Sequence, residues 1–330
     1  MRVLFVTNLW PDQERPWHGT FVKVQADSLR ALGVDVDVMP IRGYASDLEY
    51  VKACRRAVGL NRRKRYDVVH AHYGHSGVVG RLQVRTPLVI SYHGSDLLGK
   101  PTPTGPPTLR SRADVAVFRQ LARVASATIT MSARMEAVLP PSCRERNSII
   151  PTGVDLETFA RGSQAQARER LGWPAGEKVV LWVGNLDRPL KNFQLARATM
   201  QRLSASVPEG RLRVAWELAP EDIPTWLTAS DVLLMTSRSE GSPTVIKEAM
   251  AAELPVVSTD VGDVRERVAG LPGCWVGEGD PRQLAAALVT ALAHGPVAES
   301  RRAIAPLSIE KTARRILHIY ERVAKSGVRA

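Results

Sequence analysis

Short apolar runs alternate with amphipathic stretches along almost the whole chain. The runs have the length of buried strands, and the stretches between them have the period of helices that cover one face of a sheet. Strands are predicted over residues 2–8, 34–41, 67–73, 87–93, 127–132, 178–184, 212–216, 231–236, 256–259 and 274–276. Helices are predicted over residues 19–32, 48–58, 75–82, 112–124, 192–203, 221–229, 245–252, 282–292 and 300–325. This order predicts an α/β protein with parallel sheets.

The alternation runs through two series of strands and helices, one that includes the strand at 127–132 and one that begins with the strand at 178–184. A chain of 330 residues is long enough for two domains of ordinary size. We therefore predict two domains, followed by the amphipathic helix at 300–325.

Residues 237–250 follow one of the predicted strands and read SRSEGSPTVIKEAM. Ser242 before Pro243 predicts a capped helix start whose free N–H groups face the loop, and such an end attracts phosphate. Glu240 lies in the loop, and Glu248 lies on the second helical turn, from which its side chain leans back toward the helix start. Carboxylates beside a phosphate site suit hydroxyl groups, so a nucleotide sugar is predicted. The structural alternative is a turn-capping Glu240 and a solvated Glu248.

The longer run SEGSPTVIKEAMAAELPVVSTDVG resembles the E-x7-E signature of the retaining glycosyltransferases of family four, the group 1 enzymes with the GT-B fold. The segments EGSPTVIKEAM and STDVGD also resemble those of bacterial surface-polysaccharide transferases. The resemblance covers most of the chain and is strongest over residues 178–263. Residues 149–155, IIPTGVD, resemble the family's strand-to-linker segment, where the chain leaves the first domain, and they place the boundary near Asp155. The resemblance implies two Rossmann-like parallel-sheet domains that face a cleft, an acceptor-side domain (1–155) and a nucleotide-sugar-binding domain (156–305). It also implies that the C-terminal helix (306–330) returns to the first domain.

The resemblance implies a role for each residue of the signature. Glu240 holds hydroxyls of the transferred sugar, and Glu248 binds the ribose. The loop and the helix start hold the diphosphate, and they supply the donor-binding positions Gly241, Ser242, Thr244 and Val245.

Residues 184–192, GNLDRPLKN, resemble a family segment that ends in a lysine and a small residue. Lys191 occupies the position of the lysine that contacts the diphosphate. The family arginine usually follows the glycine directly, but Asn185 stands there, so Arg188 is expected to reach the same place from inside the loop. Both cations would stabilise the charge of the departing diphosphate. The alternative is that they are ordinary loop cations.

The first domain is expected to contribute His93, in a segment HGSD that resembles the family's HG motif near the transferred sugar. Ligands bind at the carboxyl ends of parallel strands, and His93 ends such a strand. His70 and His72 end another strand and are expected to be structural or to support the site. In the family a glycine-rich turn before the first helix faces the cleft near the diphosphate and the acceptor. Gly19 is the one glycine left there, and the resemblance implies that it contributes to donor binding. Thr20 beside it is expected to cap that helix or to touch a ligand.

One region departs from the family pattern. Residues 212–229 compress a usually long stretch into a strand, a short loop and one helix. Base recognition in the family generally involves loops in this region, so the base of the donor is left open.

The net charge is +12, and residues 1–155 carry most of it, with 22 lysines and arginines against 13 acidic residues. Basic residues crowd between Arg55 and Arg65. Nucleic-acid binding is not expected, because the patch lacks interleaved aromatic residues and a recognisable motif. An anionic membrane surface or an acidic acceptor is one alternative, and a solvated arginine-rich face is the other.

Further expectations concern location and metals. No apolar run reaches the roughly 18 residues that a membrane span needs, and the three cysteines lack metal-type spacing. We therefore expect a cytoplasmic protein with reduced thiols. If the basic patch binds lipid, the protein would lie at the inner face of the membrane. Asp35 and Asp37 form a D-x-D that could suggest a metal site, but both are expected on the solvent side of an edge strand. No metal and no cofactor are expected, since the nucleotide sugar is a substrate.

Together these features predict a retaining, metal-independent glycosyltransferase. It would move a sugar from a nucleotide diphosphate sugar to a hydroxyl of a polysaccharide, lipid-linked or small-molecule acceptor. No residue stands out as a nucleophile, which suits a front-face mechanism in which the leaving phosphate takes the acceptor's proton. The alternatives are a nucleotide-sugar-binding protein without turnover, a GT-B nucleotide-sugar epimerase, and a phosphorylase-type enzyme that would need pyridoxal phosphate.

Overall fold

A computed structural model describes residues 1–63, 65–100, 102 and 106–327. Parts of two sequence features lie outside these residues: Lys64 of the basic run, and residues 101 and 103–105 of the proline-rich segment 99–108. The described chain divides into two compact units. The first comprises residues 1–63, 65–100, 106–153 and 309–327, and the second comprises residue 102 and Val154–Ser308.

The first unit is built on a parallel sheet of six strands in the order β2-β1-β3-β4-β5-β6. The strands are β1 (Arg2–Thr7), β2 (Asp35–Pro40), β3 (Val68–His72), β4 (Leu88–Ser91), β5 (Ala127–Thr130) and β6 (Asn147–Ile149). β1 lies inside the sheet, and every residue from Val3 to Thr7 is buried, which agrees with its unbroken apolar run.

Helices connect these strands. They are α1 (Thr20–Ala31), α2 (Leu48–Arg63), α3 (Gly74–Gly80), α4 (Ser95–Leu98), α5 (Leu109–Val124), α6 (Ala133–Ala137) and α7 (Pro141–Arg144). The three crossovers that lead away from β2, β3 and β4 run in one direction across the sheet, while the β1–β2 crossover runs in the other. Because such crossovers are right-handed, α2, α3 and α5 cover one face of the sheet and α1 covers the other.

The second unit has a parallel sheet of five strands in the order β11-β10-β9-β7-β8. The strands are β7 (Lys178–Val183), β8 (Gly210–Ala215), β9 (Val232–Met235), β10 (Val256–Thr259) and β11 (Trp275–Gly277). The helices are α8 (Gln164–Leu171), α9 (Phe193–Leu203), α10 (Ile223–Ala229), α11 (Thr244–Ala251), α12 (Val264–Val268), α13 (Pro281–His294) and α14 (Ala298–Ile304). Successive strand residues point to opposite faces, so Leu181 joins one apolar core, and Val180 and Trp182 join the other.

The chain ends in two helices, so the single tail helix predicted over residues 300–325 is wrong. After α14 comes a 3-10 turn, Ala305–Leu307, and a new helix, α15 (Ile309–Gly327), begins beyond it. Pro306 explains the break, because proline has no N–H to continue the α-helical ladder. α15 belongs to the first unit, packs against α1, and buries Tyr320 there.

The compressed region has the arrangement expected from the sequence. β8 is followed by a loop, a 3-10 turn (Pro220–Asp222) and α10. α10 begins two residues later than predicted, because the turn occupies residues 220–222.

Asp35 and Asp37 lie on the edge strand β2, and each has a structural partner. Asp35 is exposed and pairs with Arg2 (Nε to Oδ2, 2.8 Å), while Asp37 accepts a hydrogen bond from Tyr66 (2.8 Å). Within the described residues, no group of three histidine, cysteine or acidic side chains is arranged to hold a metal ion. None of the described helices is both long and apolar enough to span a bilayer.

Candidate functional site

The strand order places a topological switch point in the second sheet, between β7 and β9. The connection from β7 leads toward β8, and the connection from β9 leads toward β10, so the two loops diverge at the carboxyl ends of neighbouring strands. Open α/β sheets bind ligands at such a point. The loop after β7 carries Arg188 and Lys191, and the loop after β9 carries Glu240.

Lys191 and Glu240 meet at this switch point. The Lys191 ammonium lies 2.8 Å from Glu240 Oε1, and both side chains are about four-fifths buried. Ser237 Oγ donates to the same carboxylate oxygen at 2.9 Å. Two residues assigned to different parts of the donor by sequence resemblance therefore form one ion pair, 49 positions apart in the chain.

Hydrogen bonds to backbone carbonyls fix the two loops to each other around this ion pair. Thr236 Oγ1 donates to the Lys191 carbonyl at 3.0 Å, and the Arg238 amide donates to the Leu190 carbonyl at 2.8 Å. Lys191 ends a 3-10 turn, Pro189–Lys191, and its side-chain position is thus set by both loops.

Arg188 is exposed just before that turn, and no hydrogen bond or ion pair of its guanidinium occurs within the described residues. Asn185, which replaces the family arginine, shapes the loop instead. Its Oδ1 accepts the Asp187 amide at 2.7 Å, and its carbonyl accepts the Arg188 amide at 3.2 Å. The Arg188 side chain is therefore available to a ligand.

Glu248 lies on the second turn of α11, where it is half-buried. Burial raises the pKa of its carboxyl to about 7, against the opposing effect of the neighbouring Lys247 ammonium. Inside the described part of the chain, its carboxylate has no hydrogen-bond partner. A half-buried carboxylate with free acceptor positions suits ligand hydroxyl groups.

The predicted helix cap at Ser242 is wrong. Pro243 is the residue before the first helical turn, and no side chain caps the helix. The Ser242 hydroxyl donates instead to Asp263 Oδ2 (3.0 Å) and accepts from the buried Lys247 ammonium (3.0 Å). Burial lowers the pKa of Lys247 to about 8. The first-turn N–H groups of α11, around Thr244 and Val245, are consequently left without a side-chain acceptor.

Gly241 and Gly262 bring two strand-end loops into close backbone contact. Gly262 has a φ of +57°, and a Cβ at that position would lie 2.8 Å from the Gly241 carbonyl oxygen. Glycine is required at Gly262 by its conformation and by this approach. The contact supports Gly241, which is buried beside Glu240.

Sequence reasoning missed a cavity of about 640 Å³ at the carboxyl ends of β9, β10 and β11. Its lining includes Ser237, whose hydroxyl donates to Glu240, and Asp260, which pairs with Arg265 at 2.8 Å. The segment STDVG, which begins in the last two residues of β10, was the available signal, because its threonine and aspartate both line this cavity.

In the first unit, His93 follows β4 and is half-buried. Its Nε2 lies 3.3 Å from His72 Nδ1, and the two rings stack with centroids 5.5 Å apart. His72 is fully buried, its Nε2 has no partner among the described residues, and burial holds its pKa well below the ordinary value. His72 thus contacts the predicted site histidine directly and fixes one of its ring nitrogens.

The His70 side chain is fully buried, and each of its ring nitrogens has a partner within the first unit. Its Nδ1 lies 2.5 Å from Tyr320 Oη on α15, and its Nε2 lies 2.8 Å from Ser91 Oγ. Burial lowers its pKa to about 3, so the ring is neutral. These bonds tie β3, β4 and the C-terminal helix together, which is the structural role expected for this residue.

Asp96, the last residue of HGSD, was not singled out by the sequence. Its buried carboxylate accepts the backbone N–H groups of His93 (3.0 Å) and Gly94 (2.9 Å), and burial raises its pKa to about 6. Gly94 has a φ of +134°, a conformation that favours glycine. Asp96 therefore holds the turn that presents His93, and the signal was its position three residues after the histidine.

Gly19 lies at the start of α1 with a φ of +71°. A Cβ there would lie 2.2 Å from the Leu9 carbonyl carbon. The helix has no side-chain cap, so the expectation that Thr20 caps it is wrong. Gly19 is required by the fold at this point, whatever ligand approaches the turn.

Comparison with known proteins agrees with this architecture. The family model "Glycosyltransferase Family 4" matches residues 2–158, and the model "Glycosyl transferases group 1" matches residues 212–294. Together they cover most of the chain. The chain belongs to glycosyltransferase family four.

Relatives of this glycosyltransferase include TuaC of Bacillus subtilis, assigned to teichuronic acid biosynthesis, at 25% identity over 80% of this chain and 82% of that protein. D-inositol 3-phosphate glycosyltransferase 1 of Catenulispora acidiphila is 31% identical over 67% of this chain. The match spans 62% of the length of that relative, which is less than two thirds.

Two solved structures share the fold. Sucrose-phosphate synthase from Thermosynechococcus elongatus aligns with a TM-score of 0.80 at 19% identity, covering 98% of this chain and 99% of the other. Anabaena Alr3699/HepE, in complex with UDP and glucose, aligns with a TM-score of 0.67 at 20% identity, covering 98% of each chain. The predicted α/β class with two Rossmann-like parallel-sheet domains of the GT-B fold is confirmed.

Proposed function

We propose that this glycosyltransferase moves a sugar from a nucleotide diphosphate sugar to an acceptor hydroxyl, without a metal ion and with retention of the anomeric configuration. The observation that carries the proposal is the ion pair at the switch point of the second sheet between Lys191, after β7, and Glu240, in the loop that opens α11. A cation, a carboxylate and uncapped helix amides at one place match a sugar attached to a diphosphate.

In the proposed mechanism the cations act on the leaving group. Negative charge accumulates on the diphosphate as the glycosidic bond breaks, and Lys191, Arg188 and the α11 amides would stabilise it without reorganisation. Glu240, oriented by Lys191 and Ser237, would hold sugar hydroxyls. The leaving phosphate would take the acceptor's proton, since no side chain is assigned as a nucleophile. His93 remains a predicted contact of the transferred sugar.

The relatives indicate which donor and acceptors to test first. HepE holds UDP and glucose in its structure, which supports a uridine nucleotide donor here. The names of TuaC and of the D-inositol 3-phosphate glycosyltransferases support two acceptor classes, a teichuronic acid precursor and D-inositol 3-phosphate. The compressed loop between β8 and α10 is the part of the second unit where a different base would be accommodated.

The proposal is tested by incubating the chain with UDP-, GDP-, ADP- and dTDP-sugars and acceptors of both classes, with and without a chelator. We expect acceptor-dependent release of one nucleoside diphosphate, unaffected by chelation, and a product whose anomeric proton coupling equals that of the donor. An inverted product, or loss of transfer on chelation, would reject retention or metal independence respectively. A new nucleotide sugar formed without acceptor would favour the epimerase alternative, and saturable binding without release would favour the non-catalytic one.

Nucleotide binding is expected to strengthen as the pH rises through the Glu248 titration. The folded-state pKa is raised to about 7, so the carboxyl is mainly protonated at pH 6 and mainly ionised at pH 7.5. The ionised form accepts ribose hydroxyls, and the Kd for UDP should therefore fall by roughly fivefold to tenfold over this range. Lys247, with a pKa of about 8, keeps most of its charge throughout.

Calorimetric titration of the native chain and of Glu248→Gln at both pH values measures this effect. The variant should bind UDP more weakly and lose the pH dependence. Glu253→Gln, at an acidic residue just after α11, is the matched control and should behave like the native chain. An unchanged pH dependence in Glu248→Gln would assign the titration to another group.

A further inference from the structure

Exposed apolar side chains are concentrated on one part of the first unit. Of the fourteen large hydrophobic residues exposed in the described structure, nine lie on α2, α3 with the turn after it, and α5. They are Leu48, Val51, Val58, Val78, Leu82, Val84, Leu109, Val117 and Val124. The second unit, although similar in size, exposes Leu186 and Val289 among its described residues. This clustering is what distinguishes a binding surface from scattered exposed side chains.

These nine residues lie on elements that cover one side of the sheet. α3 packs against both α2 and α5, and the handedness of the crossovers puts all three helices on the same side of the sheet. On α2, Leu48, Val51, Arg55 and Val58 follow one another at helical spacing along the outer side, with Val51 52% and Val58 48% exposed. We call this surface, defined by the nine residues above, the α2–α3–α5 face.

The charge on the α2–α3–α5 face is positive and largely uncompensated. Five exposed arginines have no hydrogen bond or ion pair within the part of the chain that the structure describes: Arg55, Arg81, Arg85, Arg112 and Arg119. Two of the nearby acidic residues are engaged by cations, since Asp47 binds Arg110 (2.9 Å) and Glu49 binds Lys52 (2.6 Å), while Asp114 on α5 lies 3.8 Å from His75. On the opposite side of the sheet, α1 instead pairs its charges internally through Lys23, Asp27 and Arg30.

We propose that the α2–α3–α5 face docks on an anionic lipid bilayer. Leucine and valine side chains can enter the boundary between headgroups and acyl chains, while arginines beside them reach lipid phosphates and lay their stems along the apolar surface. The core of a protein–protein interface is enriched in aromatic residues and methionine, whereas the nine apolar residues of this face are all leucines and valines. The phosphates of a nucleic acid would account for the arginines but not for the nine apolar residues. This proposal does not depend on the proposed transfer reaction.

Vesicle co-sedimentation of the full chain tests the proposal. Vesicles of phosphatidylcholine alone are compared with vesicles that also contain phosphatidylglycerol, at low and at high salt. The chain should sediment with the anionic vesicles only, and less at high salt because the attraction is screened. Equal binding to both kinds of vesicle, or binding to neither, would overturn the proposal.

Two sets of variants locate the surface. Val51→Asp with Val58→Asp should abolish sedimentation, whereas Val289→Asp, at an exposed valine on α13, should leave it unchanged. Arg55→Gln with Arg119→Gln should weaken binding by about fivefold per arginine, whereas Arg197→Gln with Arg202→Gln on α9 should not weaken it comparably. All of the altered side chains are exposed, so we expect every variant to retain the fold. Thermal melting of each variant checks this.

Other occupants predict different results. If the face binds a second copy of the chain, sedimentation equilibrium will show a dimer that Val51→Asp with Val58→Asp dissociates. If it binds nucleic acid, duplex DNA will compete with the vesicles, and the two valine substitutions will leave DNA binding unchanged. Either result would replace the bilayer as the partner of this face.

Discussion

Replacing Lys191 with methionine is expected to lower kcat for sugar transfer by about a hundredfold to a thousandfold. The reason is electrostatic: a preorganised cation that stabilises a leaving group is worth roughly that factor when removed. The same change leaves the Glu240 carboxylate, about four-fifths buried, with Ser237 as its remaining partner. Its orientation toward sugar hydroxyls is then lost as well. Steady-state transfer, measured with the donor that the nucleotide screen identifies, provides the test.

The control distinguishes the loss of a cation at the site from the loss of a cation elsewhere on the second unit. Arg197→Met removes an exposed cation on the second turn of α9, close in sequence to Lys191, and should leave kcat within about twofold of the native value. Glu240→Gln keeps the shape of the side chain and should also lose most of the transfer activity. If Lys191→Met binds nucleotide and transfers sugar at the native rate, the ion pair is structural and the site assignment fails.

The central strands could be predicted from the sequence because their residues are buried on both faces of the sheet. β1, β7 and β9 are inside their sheets, covered on both faces, and appear in the sequence as unbroken apolar runs. β6 has three residues on an edge, and the strand-to-linker segment that the resemblance implies at residues 149–155 overlaps it only at Ile149. α8 was missed. It is held through Arg168, which reaches Asp231 at 2.6 Å, so its stability comes from a contact 63 residues away.

The positions of the site residues could be predicted from the sequence, but their contacts with one another could not. The strand order follows from the alternation, and with it the expectation that residues after β7 and β9 lie together. That Lys191 would pair with Glu240 does not follow, because both were assigned to ligand atoms. Ser242 before Pro243 has the local pattern of a helix cap, but the buried Lys247 and Asp263 compete for its hydroxyl and prevail. A local rule fails here because tertiary partners offer stronger, charge-assisted hydrogen bonds.

Substituting Gly19 by alanine is expected to destabilise the first unit by about 2–5 kcal/mol. A left-handed backbone costs a residue with a Cβ about 1–2 kcal/mol, and overpacking costs a further 1–3 kcal/mol, roughly. The steric part is severe at this position, because the new Cβ would lie 2.2 Å from the Leu9 carbonyl carbon and 2.7 Å from the Trp10 nitrogen. Both are backbone atoms, so no side-chain rotation can relieve the contact.

Gly33 supplies the matched control for that prediction. It lies just after α1 with a φ of +82°, but a Cβ added there would meet no atom within 4 Å, so Gly33→Ala should show the conformational cost alone, about 1–2 kcal/mol. Hydrogen exchange of the β1 and β3 amides at increasing urea concentration measures the stability of the first unit separately from the second. Equal losses in the two variants would mean that the approach of Leu9 is not what requires glycine. A larger loss in Gly19→Ala would show that this glycine serves the backbone first, so that reduced transfer by the variant could not by itself assign Gly19 to the donor site.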